Sequence, residues 1–396
     1  MILIIGNYTN SKVIEQRKLP APNPAASSRM LRIAKSLESN DVKTAIVSSA
    51  SAASIGFNKK IIDKTFFIEE DGIEIFFSSA LTIPFLSFFW ELISLPFLFL
   101  KMTRSNSVKA VVLYCYYPSA LIVGFIAKYK KIKILEDLQD IVTDQNISIS
   151  DMSILDYLRQ KFGKILMKSM LKISDVVIVP TIRFIKFIPK DKKVITISGC
   201  FDINDFSTPK ELIKGKINIL FSGLLNEEQG INLLFSTLSK LNYIPNAFEK
   251  YKFTLCGYGF DEIYIKDEIK KLNKLDVEFL GYIDYGEYEK ILLRSHICLA
   301  LQNPEGIFGL LKTPSKAFEY MANGKMVIVS KVGDFSGLPL NTVVLLENYN
   351  SEELFLIMNS LNFEKVKMYG DNAFKFAMKN WSFAVVGNKI MKTIYN

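Results

Sequence analysis

The chain has 396 residues, of which 49% are apolar and 22% are charged, and its net charge is +9. This length suits two domains of about 200 residues, each with its own core, and the composition excludes a disordered chain. Four scattered cysteines, each in or beside an apolar run, indicate reduced, buried thiols and exclude a disulfide framework and a zinc site. The run Met1 to Gly6 is apolar without a basic flank or a cleavage site, so we expect a first strand, not a signal peptide.

Short apolar strands alternate with helices along the whole chain. In the first half we predict strands at 1–6, 43–48, 109–114, 131–135, 175–179 and 193–197, with helices at 25–39, 118–128 and 153–173. In the second half we predict strands at 217–221, 252–255, 277–280, 297–301, 327–330 and 343–345. This alternation predicts two parallel sheets covered on both faces, with ligand sites at the carboxyl ends of the strands and a cleft between the domains. The run Ser207-Thr208-Pro209 is the expected boundary.

The first polar positions after the first predicted strand are Asn7 and Tyr8, and the next helix carries Ser28 and Arg29. The family resemblance given below implies that these four residues bind an acceptor. Ser27 or Ser28 is expected to cap the helix, which leaves Arg29 for an acceptor phosphate.

The segment from Leu81 to Leu100 is long and apolar enough to span a bilayer, and Glu91 is its only charge. Pro84 and Pro96 interrupt it, and strand-like segments flank it on both sides. We therefore expect a helix packed on the sheet whose outer face dips into lipid. A membrane span and a fully buried core helix are the alternatives.

Acidic residues follow the predicted strand 131–135, in the run Glu136-Asp137-Leu138-Gln139-Asp140. Carboxylates at a strand end can orient sugar hydroxyls or stabilise a cationic sugar in a transition state. We predict a catalytic role for Asp140 first and for Asp137 second. Helix capping or a solvated loop is the alternative reading of these charges.

Positive charge is concentrated in the first half of the chain. Residues 1–200 hold 27 basic and 17 acidic residues, whereas residues 201–396 hold 22 and 23. Such a field predicts an anionic partner: a membrane surface, a lipid pyrophosphate or a nucleic acid. The predicted helix from Ser153 to Ile173 interleaves lysines with apolar residues, a pattern typical of helices at membrane surfaces. We therefore expect an anionic membrane and no nucleic acid. A solvated basic helix face is the alternative.

Glycines follow three predicted strands of the second half, at Gly223, Gly257 and Gly281, and each lets a ligand approach the backbone closely. Gly257 and Gly259 lack the third glycine of the nicotinamide-binding fingerprint, which disfavours that cofactor.

The run Thr313-Pro314-Ser315-Lys316-Ala317-Phe318-Glu319 opens a helix that Gly324 ends before a buried strand. The helix amino end and Lys316 suit a phosphate, and Glu319 can accept hydrogen bonds from sugar hydroxyls. A nucleotide diphospho-sugar offers both groups. The alternative is an ordinary amphipathic helix whose Lys and Glu pair with each other.

Taken together, these motifs resemble glycosyltransferase family 4, retaining enzymes of the GT-B fold. The resemblance rests on Ser198-Gly199-Cys200, Ser222-Gly223, Leu255-Cys256-Gly257, Leu280-Gly281-Tyr282 and Pro314-Ser315-Lys316 with Phe318-Glu319. It implies two Rossmann-like domains facing across a cleft. The acceptor-binding domain would span 1–204, joined by a C-terminal helix at 378–396, and the donor-binding domain would span 205–377.

The resemblance also implies roles for particular residues. Glu319 would hold the donor ribose, Lys316 with Ser315 would contact the diphosphate, and the Gly223 loop would lie under the phosphates. The segment Gly281, Tyr282 and Ile283 would pass beside the base. The donor would be a UDP- or GDP-linked sugar, with no cofactor and no metal.

Relatives of this kind build capsules, O-antigens and other lipid-linked glycans of bacteria. The resemblance therefore implies a hexosyltransferase acting on a lipid-linked acceptor at the cytoplasmic face of the membrane. The alternatives are a GT-B epimerase or phosphorylase, and a catalytically silent partner that binds nucleotide and membrane.

The chain departs from the family pattern at several positions. The usual Arg and Lys beside the glycine loop fall at Leu224 and Gln229, and Lys312 and Lys316 are the expected replacements. The first glutamate of the family's paired motif falls at Leu311, for which Glu305 could substitute. The sole histidine, His296, precedes a predicted strand of the donor domain, so we expect a structural role for it.

Overall fold

The computed structural model describes residues 1–17, 19, 24–50, 62–83, 86–142, 153–202, 215–259, 262–305, 309–311 and 313–395. The chain divides into two compact units: Met1–Cys200 with Ser382–Asn396, and Phe201–Trp381. The sequence places the same divisions at 204/205 and 377/378. The expected boundary run 207–209 lies outside the described residues.

The first unit is built on an eight-stranded sheet in the order β10-β9-β8-β7-β1-β2-β5-β4. Its neighbours pair in parallel, except that β4 runs antiparallel to β5, and β3 pairs with β6 apart from this sheet. The strands are β1 (Ile2–Gly6), β2 (Thr44–Ser48), β3 (Ile62–Asp63), β4 (Phe66–Glu70), β5 (Ile73–Phe77), β6 (Ala80–Leu81), β7 (Ala110–Tyr114), β8 (Lys133–Asp137), β9 (Val176–Val179) and β10 (Lys193–Thr196). Strand β1 is buried at every residue, because helices cover both faces of a parallel sheet.

Helices cover this sheet in two layers. In chain order, the first five helices of this unit are α1 (Ser11–Arg17), α2 (Pro24–Glu38), α3 (Leu86–Ser105), α4 (Pro118–Tyr129) and α5 (Ile154–Ile173). Alternate residues of β1 face opposite layers: Ile4 packs in one core with Met30 of α2, whereas Ile5 packs in the other with Phe99 of α3 and Val123 of α4. Helices α3, α4 and α5 thus share one face of the sheet.

Several features of the first unit differ from the sequence prediction. Helix α1 and strands β3 and β6 were not predicted, and the helix expected within Leu81 to Leu100 begins at Leu86, with Leu81 in β6. The hairpin of β4 and β5 was not predicted, although its turn residues Asp71 and Gly72 have φ of 51° and 80° and form the Asp-Gly signal of a tight hairpin. Strand β8 extends through Asp137, two residues past the predicted end at Leu135. Glu136 and Asp137 are therefore strand residues, and the prediction that they follow the strand is wrong.

The second unit has a six-stranded, all-parallel sheet in the order β13-β12-β11-β14-β15-β16. Its elements are β11 (Ile217–Leu224), α6 (Ile231–Leu241), α7 (Ala247–Lys250), β12 (Tyr251–Tyr258), α8 (Glu262–Lys270), β13 (Asp276–Phe279), α9 (Tyr285–Arg294), β14 (Ile297–Ala300), α10 (Ser315–Ala322), β15 (Met326–Ser330), β16 (Val344–Leu346), α11 (Ser351–Asn359) and α12 (Phe363–Trp381). The last helix, α13 (Phe383–Tyr395), belongs to the first unit, where Val386 and Ile390 join the core beside α2.

His296 supports the second sheet. Its Nδ1 accepts a hydrogen bond of 2.9 Å from the backbone N–H of Asn218 in β11, and burial lowers the pKa of its imidazole. The ring therefore stays neutral and holds the amino ends of β11 and β14, opposite to the end of β11 that carries Gly223.

Candidate functional site

Two charged residues on the first turns of α10 lie at the carboxyl edge of the second sheet. The Lys316 Nζ donates a hydrogen bond of 2.8 Å to Ser222 Oγ in β11, and it lies 4.8 Å from the ring centroid of Tyr288 in α9. Ser222 Oγ is also 2.9 Å from the hydroxyl of Tyr320. The ammonium group is thus held by a hydroxyl and by the face of an aromatic ring, which attracts cations.

Glu319 is fixed by the same tyrosine. The Tyr288 hydroxyl donates a hydrogen bond of 3.1 Å to Glu319 Oε2, and burial together with the nearby Tyr320 and Glu319 raises the pKa of Tyr288, so the hydroxyl keeps its proton. Among the described residues, no hydrogen bond reaches Oε1 of Glu319. One carboxylate oxygen therefore remains able to accept hydrogen bonds from a ligand.

Lys316 keeps its own donors. An ammonium group has three N–H donors, and Ser222 takes one of them. Burial lowers the pKa of Lys316, and the neighbouring Glu319 carboxylate opposes that shift. Among the described residues, the direct partners of Lys316 and Glu319 are neutral hydroxyls and a ring, and neither side chain forms a salt bridge. The charges are available to a bound molecule.

Two glycines bring the backbone of neighbouring strands close together beside Lys316. Gly223 has φ of 124°, and a Cβ atom there would lie 3.4 Å from Lys316 Nζ. Gly257 has φ of 144°, and its Cβ would lie 1.8 Å from the carbonyl oxygen of Gly223, a distance no side chain tolerates. The Gly257 N–H donates to the Gly281 carbonyl at 2.8 Å. Gly223 and Gly257 are the second-to-last residues of β11 and β12, so the prediction that they follow their strands is wrong, whereas Gly281 does follow β13. The three glycines meet at the carboxyl edge of the sheet.

Two exposed tyrosines stand beside this glycine edge. The rings of Tyr258 and Tyr282 meet edge to face with centroids 6.1 Å apart, and Tyr282 is 76% exposed. Ile283, the next residue, packs against the core on the α10 side of the sheet. Tyr282 and Ile283 were predicted to lie beside a base, and the structure places them next to Gly281 with Tyr258 as an additional aromatic neighbour.

The remaining predicted donor-binding residues fall around the start of α10. Pro314 occupies the position before the helix, Ser315 is its first residue and is exposed, and Thr313 is half-buried. Leu224 is exposed at the end of β11. Lys312 lies outside the described residues.

The structure also describes three of the positions that bear on the departures from the family pattern: Leu311, Glu305 and Gln229. Leu311 lies in a single 3₁₀ turn, Gly309–Leu311, ahead of α10. Glu305 is exposed, and its N–H is held by the Asn303 side chain at 2.9 Å. Gln229 accepts a hydrogen bond of 3.0 Å from Gln302, so a neutral amide pair occupies the place of a cation.

In the first unit, the structure joins two predicted site residues to each other. Arg29 in α2 donates two hydrogen bonds to the carboxylate of Asp137 in β8, at 2.9 and 3.0 Å, and a third of 3.2 Å to the Ile197 carbonyl. Gln139 donates to the same carboxylate at 2.5 Å. The guanidinium predicted for an acceptor phosphate and the carboxylate predicted for catalysis form one buried ion pair.

The other predicted residues of the first unit differ in exposure. Asp140 follows β8 and its side chain is exposed. The surrounding chain still removes part of the water from around its carboxyl group, and this desolvation raises the pKa. Asn7 contacts the Ser49 hydroxyl through its side-chain oxygen. Tyr8 is buried in the core, and Ser28 is exposed. Helix α2 begins at Pro24, so the prediction that Ser27 or Ser28 caps it is wrong.

Three residues of the α10 cluster were not singled out from the sequence: Tyr288, Tyr320 and the side chain of Ser222. Ser222 had a signal, since it ends an apolar strand next to a glycine. Tyr288 had none, because it lies 31 positions from its partner Glu319 and on a different helix. Within the described residues, no three His, Cys, Asp or Glu side chains gather in a way that could hold a metal ion.

Solved structures with this fold span the full chain. An α,α-trehalose-phosphate synthase of Burkholderia xenovorans, solved with glucose-6-phosphate, matches with a TM-score of 0.67 and 7% identity over 100% of this chain and 99% of its own. The HepE protein of Anabaena, solved with UDP and glucose, matches with a TM-score of 0.65 and 18% identity over 100% and 99%. A sucrose-phosphate synthase of Thermosynechococcus elongatus gives 0.64 and 14% over 99% and 97%. The chain therefore has the GT-B fold, with two Rossmann-like domains.

The second unit also matches a family in sequence. Residues 202–369 match the family described as glycosyl transferases group 1. This segment contains the glycine edge, Lys316 and Glu319. No curated protein matches the chain in sequence.

Proposed function

We propose that this protein is a retaining glycosyltransferase that moves a hexose from a nucleotide diphospho-sugar, UDP- or GDP-linked, to a lipid-linked or oligosaccharide acceptor. One observation carries the proposal: Lys316 and Glu319 lie one turn apart at the glycine edge of the second sheet, each held by neutral partners. The match to group 1 glycosyl transferases and the likeness to a structure that holds UDP and glucose support it.

The chemistry follows from the two charges. When the sugar leaves, negative charge grows on the nucleotide diphosphate, and the Lys316 ammonium and the amino end of α10 stabilise that charge without reorganising. Ser315, at the first position of the helix, offers its N–H and hydroxyl to the same group. Glu319 accepts hydrogen bonds from the ribose hydroxyls and so fixes the position of the nucleotide.

The glycine edge sets how closely the donor approaches. Because Gly223 has no side chain beside Lys316, the phosphates can lie directly against the end of β11, and Gly257 lets β12 approach that end closely. Gly281, Tyr282 and Ile283 would flank the base, and the exposed ring of Tyr282 offers a flat apolar face to it.

We assign acceptor binding to the first unit. Asn7, Ser28 and the exposed Asp140 are the polar groups we propose for it, with Asp140 orienting a hydroxyl or stabilising positive charge on the sugar. Retention follows if the acceptor attacks from the side on which the diphosphate departs, so the proposal needs no protein nucleophile. The products would be bacterial surface glycans such as capsule or O-antigen, assembled at the cytoplasmic face of the membrane.

The test is release of UDP or GDP that depends on added acceptor. A panel of nucleotide sugars is first screened for thermal stabilisation, which amounts to about 2.7 kcal/mol when the ligand is at a hundredfold excess over its Kd. The best donor is then assayed with Glu319→Ala and with Lys316→Ala. We expect both variants to lose most turnover while keeping the wild-type melting temperature. Turnover near wild type in both variants would refute the site.

A further inference from the structure

Helix α3 presents an apolar stripe to the outside of the first unit. Leu86, Phe89, Ile93 and Phe97 are all exposed, with Phe97 67% exposed, and their spacing of three and four residues places them on one side of the helix. This is the one helix among the described residues that is long and apolar enough to cross a membrane. However, 44% of its apolar 18-residue stretch is buried inside the protein.

The inner side of α3 is held in its own unit by the apolar packing of Leu95 and Phe99 and by hydrogen bonds. Glu91 is 7% exposed, it accepts a hydrogen bond of 2.7 Å from Ser119 of α4, and burial raises the pKa of its carboxyl. Trp90 donates to Ser79 at 3.2 Å. A helix tied to its own unit in this way cannot leave it to span a bilayer. On its outer stripe, Ile93 is 65% exposed and Phe97 is 67% exposed.

Two neighbouring helices continue the stripe. Helix α4 packs beside α3 and exposes Phe125 and Tyr129, and α5 packs beside α4 and exposes Leu158, Phe162 and Ile165. All three helices bury their inner sides in one core against the sheet, so their outer sides face away from the unit together. We call the exposed apolar residues of α3, α4 and α5 the three-helix surface. The nine exposed side chains named above are grouped on three adjacent helices, and such grouping is typical of an interaction surface.

The three-helix surface is surrounded by basic residues. On α5, Lys161, Lys168 and Lys172 follow one another at seven and four positions and lie beside the exposed apolar residues of that helix. The three helices together carry eight basic residues, namely Lys101, Arg104, Lys128, Arg159, Lys161, Lys164, Lys168 and Lys172, against two acidic ones, Asp156 and the buried Glu91.

We infer that the three-helix surface docks on an anionic lipid bilayer, with its aromatic and aliphatic side chains in the interface and its lysines against the headgroups. The charges favour a bilayer with acidic lipids as the partner. Its acyl chains can take up the exposed apolar side chains, and its negative headgroups can pair with the lysines. A second copy of the chain would instead bring eight more cations against these eight. The inference rests on the proposed function only in that a lipid-linked acceptor gives the enzyme a reason to be at the membrane.

The test is cosedimentation of the full chain with vesicles of phosphatidylcholine, with and without phosphatidylglycerol. We expect binding to the mixed vesicles and much weaker binding to phosphatidylcholine alone. Ile93→Ser with Phe97→Ser should weaken binding by at least about tenfold, since it removes apolar area from the interface. Lys161→Gln with Lys168→Gln should weaken it about 25-fold, at about fivefold per lysine near the surface.

Matched controls come from the second unit. Leu340→Ser changes a residue that is 92% exposed, and Lys266→Gln with Lys270→Gln removes two exposed lysines from α8. Both controls should bind vesicles as the wild type does. Far-UV circular dichroism and thermal unfolding check that every variant folds, which we expect because all the changed side chains are exposed.

The inference is overturned if the wild type does not sediment with the mixed vesicles, or if the three-helix variants bind as the controls do. It is also wrong if light scattering shows self-association that Ile93→Ser with Phe97→Ser abolishes. Thermal stabilisation by nucleotide sugars is measured in parallel. Its presence without vesicle binding refutes only the membrane surface, whereas vesicle binding without any stabilisation by nucleotide sugars refutes only the proposed function.

Discussion

The two units both place an acidic and a basic residue near a sheet, but they use them differently. In the first unit, Arg29 and Asp137 bond to each other and cancel their charges inside the protein. In the second, Lys316 and Glu319 are held by Ser222 and Tyr288, so both charges persist. A pair of opposite charges that neutralise each other serves the fold, and a pair held by neutral groups can serve a ligand.

The largest effect that separates the two pairs concerns stability. Asp137→Ala leaves the buried Arg29 guanidinium without its carboxylate, so the free energy of unfolding should fall by about 3–5 kcal/mol. Denaturant unfolding followed by circular dichroism measures this change. The double variant Arg29→Met with Asp137→Leu replaces the ion pair by apolar side chains of similar size and should recover most of the loss.

The double variant also decides the role of Asp137. If it is stable and turns over donor at a normal rate, Asp137 acts in the fold and not in catalysis. If it is stable but inactive, the predicted catalytic role of Asp137 or the predicted acceptor binding by Arg29 stands, and the contrast between the two pairs is wrong.

The second effect concerns turnover. Lys316→Ala should lower kcat by about 100- to 1000-fold, the size seen when one fixed group that stabilises transition-state charge is removed. Stability should change little, because its partners Ser222 and Tyr288 are neutral and Ser222 keeps a bond to Tyr320. Acceptor-dependent release of nucleotide diphosphate is the assay. Lys316→Arg is the matched control, and it should retain part of the rate because the charge remains.

A third test uses pH. Burial lowers the pKa of Lys316, so the ammonium loses its proton, and the rate falls, at a lower pH than for a free lysine. The pKa of Asp140 is raised, so the carboxylate forms, and the rate rises, at a higher pH than for a free aspartate. In the profile of kcat/KM against pH, the acid limb should therefore lie at a higher pH, and the alkaline limb at a lower pH, than free aspartate and free lysine would give.

Two variants assign the two limbs of that profile. Lys316→Arg should move the alkaline limb upward, since a guanidinium stays charged throughout the measurable range. Asp140→Asn should abolish the acid limb. An unchanged profile in either variant removes that residue from the mechanism.

The smallest effect probes how the second pair is held. Tyr288→Phe removes the hydrogen bond to Glu319 but keeps the ring near Lys316, so KM for the donor should rise by about fivefold to tenfold. The value of kcat should change by less than about twofold, because the ammonium is still in place. Tyr288→Leu removes ring and hydroxyl together, and we expect it to lower kcat as well. Equal losses of kcat in both variants would show that the ring does not position Lys316.

Local patterns were enough to predict most of the secondary structure and two parallel sheets, and the resemblance to glycosyltransferase family 4 implied the GT-B fold. Apolar runs such as Ile2 to Gly6 mark strands buried on both faces, and the alternation with helices dictates parallel sheets whose carboxyl ends gather the loops. Proline, serine and glycine placed the bounds of α10, and its Lys316 and Glu319 share a face because they lie three residues apart. These features depend on contacts between residues close in the chain.

What failed or was missed depends on contacts between residues far apart. The end of β8 was predicted too early because Asp137 is charged. Its ion pair with Arg29, 108 positions away, offsets the cost of burying that charge. The same distance hid the role of Tyr288 for Glu319. The sequence by itself therefore determined most of the buried parallel strands, the three glycines at their ends and the two charged residues of α10. Only the tertiary structure decided which charges are cancelled and which stay available, because that depends on the partner that folding brings to each one.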